Sequence, residues 1–381
     1  MTFKVFIIAG ESSGDVLGAD LIRSLVAICP DIELRGIGGE KMIEAGLPES
    51  FFPMDELSVM GIAEILPRIP KFMGLIRKTV VAIKGYNPDV VVTIDSPDFS
   101  FRVQKKLKQD GVECRKIHYV APTVWAWRPA RAQKISRFLD GLICLFPFET
   151  KYFEREGLSA VSVGHPMVTS GLLDGDGLKF RQAHDLSKDR IIIGLFCGSR
   201  RSELDMSIPV MRNILSGLRV RFPDLVAVIP TLPKWKDDLI REFSGFESVI
   251  VTSDRDEKFD AFKACDVAAV VSGTVALEVA LAGIPHLLFY KMNKVTWEII
   301  RRVVTTKYAH LGNILLNRRA YHEFIQEDMK EEDMISLLDR MLMNAECKTK
   351  SMSDSKILLE CLQPNPNERA SGLAATYISK K

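Results

Sequence analysis

The stretch VAAVVSGTVALEVALAGIPHLLFY, residues 267–290, decides the fold. It carries one charged residue, Glu278, and its length would suit a membrane span, which takes about 20 apolar residues. Ser272, Gly273, Gly283 and Pro285 break it at intervals that suit a buried strand, a tight loop, a short helix and a second strand. In lipid each break would leave backbone groups unpaired. Two β-branched runs around an Ala/Leu/Val helix instead read as a parallel sheet buried on both faces. Glu278 then sits about one turn into an apolar helix, where a carboxylate needs a partner. That partner is either the protein itself, through a Lys or local N–H groups, or the hydroxyl pair of a ligand.

The rest of the chain repeats the pattern. Lys4–Ala9 reads as a strand that turns through GESSGD into a helix over Val16–Ile28, and Glu33–Gly36 follows as a second strand. DVVVTI (89–94) reads as a central strand stopped by Pro97, so Asp95 and Asp98 stand at its carboxyl end, as Glu11 and Asp15 do after the first strand. Doubly wound sheets bind ligands at that edge, which makes Asp95 a candidate general base and Asp98 either a helix cap or a second acid. HYVAPTVWAWRP (118–129) brings His118, Trp125 and Arg128 around Pro122, as a rigid aromatic loop or one wall of a site. A second half opens with the strand Ile191–Phe196 and the loop CGSRRSELD. There Gly198 and Ser199 could turn backbone N–H groups toward a phosphate, and Arg200 offers a two-pronged donor. Asn313, after Gly312, is placed in a loop where its amide can read a polar ligand edge. Asp254-Arg255-Asp256 matches a D-x-D metal pattern but precedes the acidic start of a helix, which suits the helix dipole without a metal.

At 381 residues two domains are the default, and Gly171, Gly175 and Gly177 mark a boundary. The expectation is a first domain over 1–166, a linker over 167–190 and a second domain over 191–340. Helices over 341–381 then cross back to the first domain. A net charge of +2 argues against general nucleic-acid binding. Seven scattered cysteines without a C-x-x-C pair suit reduced thiols in the cytoplasm, not a disulfide framework or zinc site. Residues 67–84, PRIPKFMGLIRKTVVAIK, combine Arg68, Lys71, Arg77 and Lys78 with Phe72 and Met73 and no acid. Such a helix can pack inward or lie on an anionic bilayer, where each cation adds roughly 1 kcal/mol.

The motifs AGESSGD (9–15), VMGIAEIL (59–66), IDSPDF (94–99), HYVAPTVWAWRP (118–129), FPFE (146–149), VGHP (163–166), GSRRSE (198–203), SGTVALE (272–278) and LGNILL (311–316) run in order over most of the chain. In these the sequence resembles the lipid-A-disaccharide synthase family. The resemblance implies the GT-B architecture, two Rossmann-like doubly wound domains facing across a cleft. It implies inverting transfer of 2,3-diacylglucosamine from UDP-2,3-diacylglucosamine to the 6-hydroxyl of 2,3-diacylglucosamine 1-phosphate, with no cofactor and no metal. Carried over, Asp95 would be the base, with Glu11 and Asp98 as alternative or supporting carboxylates, and Ser13, His118, Trp125 and Arg128 would line the substrate cleft. The donor UDP would meet Gly198, Ser199, Arg200, Ser272, Gly273, Thr274 and Asn313, and Glu278 would accept from the ribose diol. The basic segment with Arg68, Lys71, Phe72, Met73, Arg77 and Lys78 would dock the chain, as a peripheral protein, on the cytoplasmic face of the inner membrane. A homodimer is left open. Cys197, Ser100 and Gly312 depart from the family's usual Pro, Asn and Pro. A UDP-sugar epimerase would share only the donor half. A nicotinamide oxidoreductase is disfavoured by the missing G-x-G-x-x-G, and a non-catalytic membrane-surface protein would use only the basic segment.

Overall fold

The computed structural model describes residues 2–57, 69–126, 128–254, 257–363 and 368–380. Its strands are β1 (Phe3–Ala9), β2 (Ile32–Ile37), β3 (Val90–Ile94), β4 (Arg115–Tyr119), β5 (Gly141–Cys144) and β6 (Ala160–Ser162), then β7 (Ile192–Phe196), β8 (Val226–Pro230), β9 (Val249–Thr252), β10 (Val267–Val271), β11 (His286–Tyr290) and β12 (His322–Ile325). They form two six-stranded sheets, ordered β2-β1-β3-β4-β5-β6 and β12-β11-β10-β7-β8-β9. Every pairing is parallel, for example Ile7 against both Gly36 and Val92, and Ala269 against both Leu195 and Leu287. Strands β3, β7 and β10 are buried along their whole length, because helices cover both faces and leave no polar side for alternation. The stretch 267–290 forms β10, the helix Thr274–Leu281 and β11, as its breaks indicate.

The chain divides into two compact units, Met1–Pro166 with Leu362–Lys381, and Met167–Cys361. Two boundary expectations change. The stretch 167–190 is a folded part of the second unit. A Cβ on Gly175 or Gly177 would come within 2.3 Å of the Phe259 carbonyl oxygen or 2.5 Å of the Lys263 carbonyl oxygen. Those glycines serve close packing, where their spacing had suggested a flexible joint. Arg181 then donates to the carbonyls of Ser187, Arg190 and Ala264 and to Asp266. At the other end, the helix Ala345–Leu362 stays largely with the second unit, with Ser355 Oγ donating to the Leu281 carbonyl at 2.6 Å. Only the last helix, Ala370–Ser379, completes the first unit. It packs along Ser12–Ile28, where Ser371 and Ser24 hydroxyls meet at 3.0 Å, and Arg115 donates to the Ile378 carbonyl.

In each sheet the strand order reverses once at a pair of inner strands: β1 and β3 in the first unit, β7 and β10 in the second. Helices leave in opposite directions at such a point and open a crevice outside the carboxyl ends of the strands. The turns there are 10–11 with 95–96, and 197–200 with 272–273, each leading into a helix.

Candidate active site

In the first unit the loop after β3 is forced into an unusual backbone path. Asp95 and Ser96 are both left-handed, at φ 52° and 43°. After β4, Val120 has φ 80°, which a β-branched residue adopts at a cost of about 1–3 kcal/mol. Asp95 N–H still donates to the Tyr119 carbonyl at 3.0 Å, so the ladder runs one residue past the strand before the chain turns. The buried Ser100 hydroxyl holds the Asp95 carbonyl at 2.8 Å. Asp95 is half-buried, and its carboxylate accepts the Ser96 N–H at 2.9 Å; Asp98 is exposed in the first turn of the helix Pro97–Gln109. Across the strand-order reversal, Ser96 Oγ lies 3.5 Å from Glu11 Oε1. A Cβ on Gly10 would strike the Ser96 hydroxyl at 2.6 Å, so glycine there lets the two loops meet. Glu11, Ser96, Asp95 and Asp98 thus gather at one strand-end crevice.

Neighbouring residues divide into exposed and structural ones. The first helix starts at Ser12, earlier than the small residues of GESSGD suggested, because Glu11 is extended and its carbonyl accepts the Asp15 N–H. Ser13 is therefore an exposed first-turn residue. Asp15 is buried and receives the N–H groups of Gly39, Lys41 and Met42, capping the next helix. His118 belongs to the core, which corrects its placement in a substrate cleft. It is 1% exposed, its Nδ1 is 2.8 Å from the Thr93 hydroxyl, and its ring packs on Phe101. Burial pushes its pKa down to about 3. Trp125 is also buried and anchors its loop, with Nε1–H donating to Glu149 Oε1 at 3.0 Å. Glu149 accepts the Phe146 N–H with its other oxygen, and burial raises its pKa to about 7 against those hydrogen bonds. Nothing in the FPFE motif itself marks Glu149 for this part. Arg128 is exposed at φ 56°.

In the second unit the loop after β7 turns on Gly198, at φ 102°. Its N–H groups are already used: Glu203, buried in the first turn of the helix Arg201–Arg221, accepts Ser199 N–H at 2.8 Å and Arg200 N–H at 3.2 Å. Its other oxygen takes the Arg200 guanidinium at 3.1 Å. The expected phosphate cradle at Ser199 is therefore filled by an internal carboxylate, while the Arg200 side chain remains mostly exposed. The spacing of a helix start followed three residues later by Glu was the available signal. Beside this loop, Ser272, Gly273 and Thr274 open the helix Thr274–Leu281. Gly273 takes φ 153°, with nothing within 4 Å of a Cβ, so backbone conformation alone calls for glycine. Glu278, one turn on, meets Lys258 Nζ at 3.0 and 2.9 Å through its two oxygens. Its partner within the protein is thus the lysine.

Asn313 departs furthest from its expected role. It lies inside the helix Leu311–Leu316, is fully buried, and uses its whole amide: Nδ2 donates to the Tyr321 carbonyl and Glu323 Oε1, and Oδ1 accepts from Ala320 and Tyr321 N–H, all at 2.8 Å. An amide so occupied has nothing left for a ligand. Beneath it, Gly312 N–H donates to His310 Nδ1 at 2.9 Å. His310 Nε2 must then carry the proton facing His286 Nε2 at 2.8 Å, and His286 Nδ1–H donates to the Ile284 carbonyl. Burial lowers the pKa of both rings, His286 to about 4, so they form a neutral core pair.

The helix Ile69–Tyr86 packs Leu75, Ile76, Val80 and Ile83 into the core of the first unit. Phe72 goes with them, edge-on to Phe99 at 5.6 Å, which corrects its place among membrane-facing residues. Met73, Arg77, Lys78 and Val81 face outward, and Lys71 pairs with Glu56 at 3.2 Å. Arg68, the motif at 59–66, and Arg255 with Asp256 lie outside the described residues. Among those described, no helix is long and apolar enough to cross a membrane.

A family model for lipid-A-disaccharide synthetase matches residues 5–377. The chain belongs to the lipid-A-disaccharide synthase family. The synthase of Rhodospirillum centenum is 40% identical over 99% of this chain and 95% of its own length, and that of Paramagnetospirillum magneticum 37% over 98% and 97%. The family makes it an enzyme, a glycosyltransferase of lipid A disaccharide synthesis. Among solved structures, a putative UDP-N-acetylglucosamine 2-epimerase from Listeria monocytogenes superimposes with TM-score 0.62 at 16% identity, covering 99% of this chain and 95% of that one. An S. aureus MnaA–UDP co-structure gives 0.62 at 14%, covering 99% and 94%. These likenesses show the shared GT-B fold.

Proposed function

We propose that this family member transfers 2,3-diacylglucosamine from UDP-2,3-diacylglucosamine to the 6-hydroxyl of 2,3-diacylglucosamine 1-phosphate with inversion, forming the β-1,6 disaccharide 1-phosphate and UDP. The observation that carries the reading is the half-buried Asp95 carboxylate on strained backbone at the β1/β3 reversal, with Glu11 facing the next residue, Ser96, and Asp98 in the helical turn that follows. Asp95 takes the proton of the acceptor 6-hydroxyl as its oxygen attacks the anomeric carbon, and the bond from that carbon to the UDP oxygen breaks on the opposite side. The half-buried setting limits competition from water, and the strained loop holds the carboxylate in one place before substrate arrives.

The donor belongs to the second unit. Arg200, mostly exposed at the end of β7, offers its guanidinium to the diphosphate, and the open start of the helix at Gly273–Thr274 adds N–H groups and a positive dipole end. Glu278 accepts from the ribose diol. These groups offset the leaving-group charge, and the reading gives no part to a metal ion. Contact with an anionic bilayer would come through Met73, Arg77, Lys78 and Val81, the outward residues of their helix. The test is UDP release from UDP-2,3-diacylglucosamine with and without the monosaccharide 1-phosphate. The expected result is release that depends on the acceptor, with a β-linked product; release without acceptor, or an α-linked product, refutes the reading.

A further inference from the structure

Lys258 is the first residue of the helix Lys258–Ala264. Its ammonium lies almost equally far from the two Glu278 oxygens, 3.0 and 2.9 Å, and 5.1 and 5.4 Å from the ring centres of Phe259 and Phe262. The backbone beneath it is tied down by a chain of contacts. Lys258 N–H donates to the Asp254 carbonyl, Asp254 N–H to the Thr252 hydroxyl, and that hydroxyl to Glu257, whose other oxygen is 2.7 Å from His184 Nε2. His184 follows the helix Gly177–Ala183, so the stretch once expected as linker helps to place Lys258. An exposed pair would contribute little by itself. This one is partly buried, and its aromatic neighbours limit the positions the ammonium can take.

We propose that Lys258 is a positioning residue for the donor nucleotide, fixing the orientation in which the Glu278 carboxylate receives a ribose hydroxyl. The inference rests on the reading that Glu278 meets the ribose. A carboxylate has about four lone-pair sites, and one ammonium bridging both oxygens takes about two of them. One lone pair on each oxygen remains, so a ribose hydroxyl can still donate to the carboxylate beside the ammonium. The ammonium also offsets the carboxylate's charge near a diphosphate, where a free carboxylate would repel the ligand. A lysine suits this task because it is a compact point charge on a flexible stem.

The experiment measures dissociation constants of UDP and 2′-deoxy-UDP by calorimetry for the full chain, for Lys258→Met and for Glu278→Gln. A hydrogen bond to a charged acceptor corresponds to a preference on the order of tenfold or more, so the wild type favours UDP by that factor. Lys258→Met weakens UDP about tenfold and 2′-deoxy-UDP far less, so the preference falls toward one. In turnover, the donor KM rises while kcat holds. A purely structural lysine would weaken both ligands together and keep the preference, which overturns the inference. Glu278→Gln separates the two ideas. If it leaves the preference for UDP intact, the ribose reading of Glu278 fails, and this inference with it. If it abolishes the preference while Lys258→Met retains it, only the role of Lys258 is refuted. Should Lys258→Met not fold, Lys258→Gln removes the same charge from a polar side chain and answers the same question.

Discussion

Replacing Asn313 by Ala separates a ligand-binding asparagine from a structural one. The side chain makes four hydrogen bonds of 2.8 Å inside the second unit. Truncation leaves the Ala320 and Tyr321 N–H groups and the Tyr321 carbonyl without their partner, while Glu323 keeps the Ala309 and His310 N–H groups. Net losses of about 0.5–1.5 kcal/mol per bond, with some unsatisfied groups costing more, put the total at about 3–5 kcal/mol. For a unit of this size that is a fall in Tm of roughly 10 °C. Asn313→Asp keeps both accepted bonds but sets a second carboxylate against Glu323, so it also destabilises. The assay is thermal unfolding followed by UDP titration of the protein still folded at low temperature. Lowered Tm with near wild-type UDP affinity is expected. An Asn313→Ala variant with wild-type Tm and much weaker UDP binding refutes the reasoning and returns Asn313 to the donor pocket.

Asp95→Asn removes the proposed base and leaves the second unit untouched. Turnover should fall by two or more orders of magnitude, roughly the contribution of general base catalysis, with UDP affinity unchanged; retained turnover moves the role to Glu11 or Asp98. Glu149, raised from 4.5 to about 7 by burial, stays protonated in the folded chain over a range where the unfolded chain has already ionised. Its contribution is therefore present below about pH 4.5 and is lost as pH rises through about 7. That is on the order of 3 kcal/mol, and Glu149→Gln should remove that pH dependence from urea unfolding measured between those limits. A wild-type slope no steeper than the variant's counts against it. Neutralising Arg77 and Lys78 together should weaken binding to anionic liposomes in a flotation assay by about thirtyfold, since each cation adds roughly 1 kcal/mol; unchanged flotation rejects the bilayer contact.

Much of the fold was legible in the sequence because strands buried on both faces read as unbroken apolar runs, and Gly and Pro mark where they end. The core elements of 267–290, the carboxyl-end position of Asp95 and the resemblance to the family all came from local order along the chain. For the glycines at 171–177 the local signal is ambiguous. A glycine that lets two backbones pack tightly looks the same in sequence as one that lets a chain bend.

By itself, then, the sequence determined which residues stand at strand ends and which family pattern they follow. The tertiary structure decided which of them are free to meet a ligand. His118, Trp125 and Asn313 carry polar atoms that suit a substrate, yet His118 Nδ1, Trp125 Nε1 and the Asn313 amide are spent inside the protein, on Thr93, on Glu149, and on Tyr321 and Glu323. Glu203 likewise takes the loop N–H groups that the sequence offers to a phosphate, and Lys258 answers the isolation of Glu278. A buried polar group must be paired, but the sequence does not show with which group; only the folded chain brings the candidate partners within 3 Å of each other.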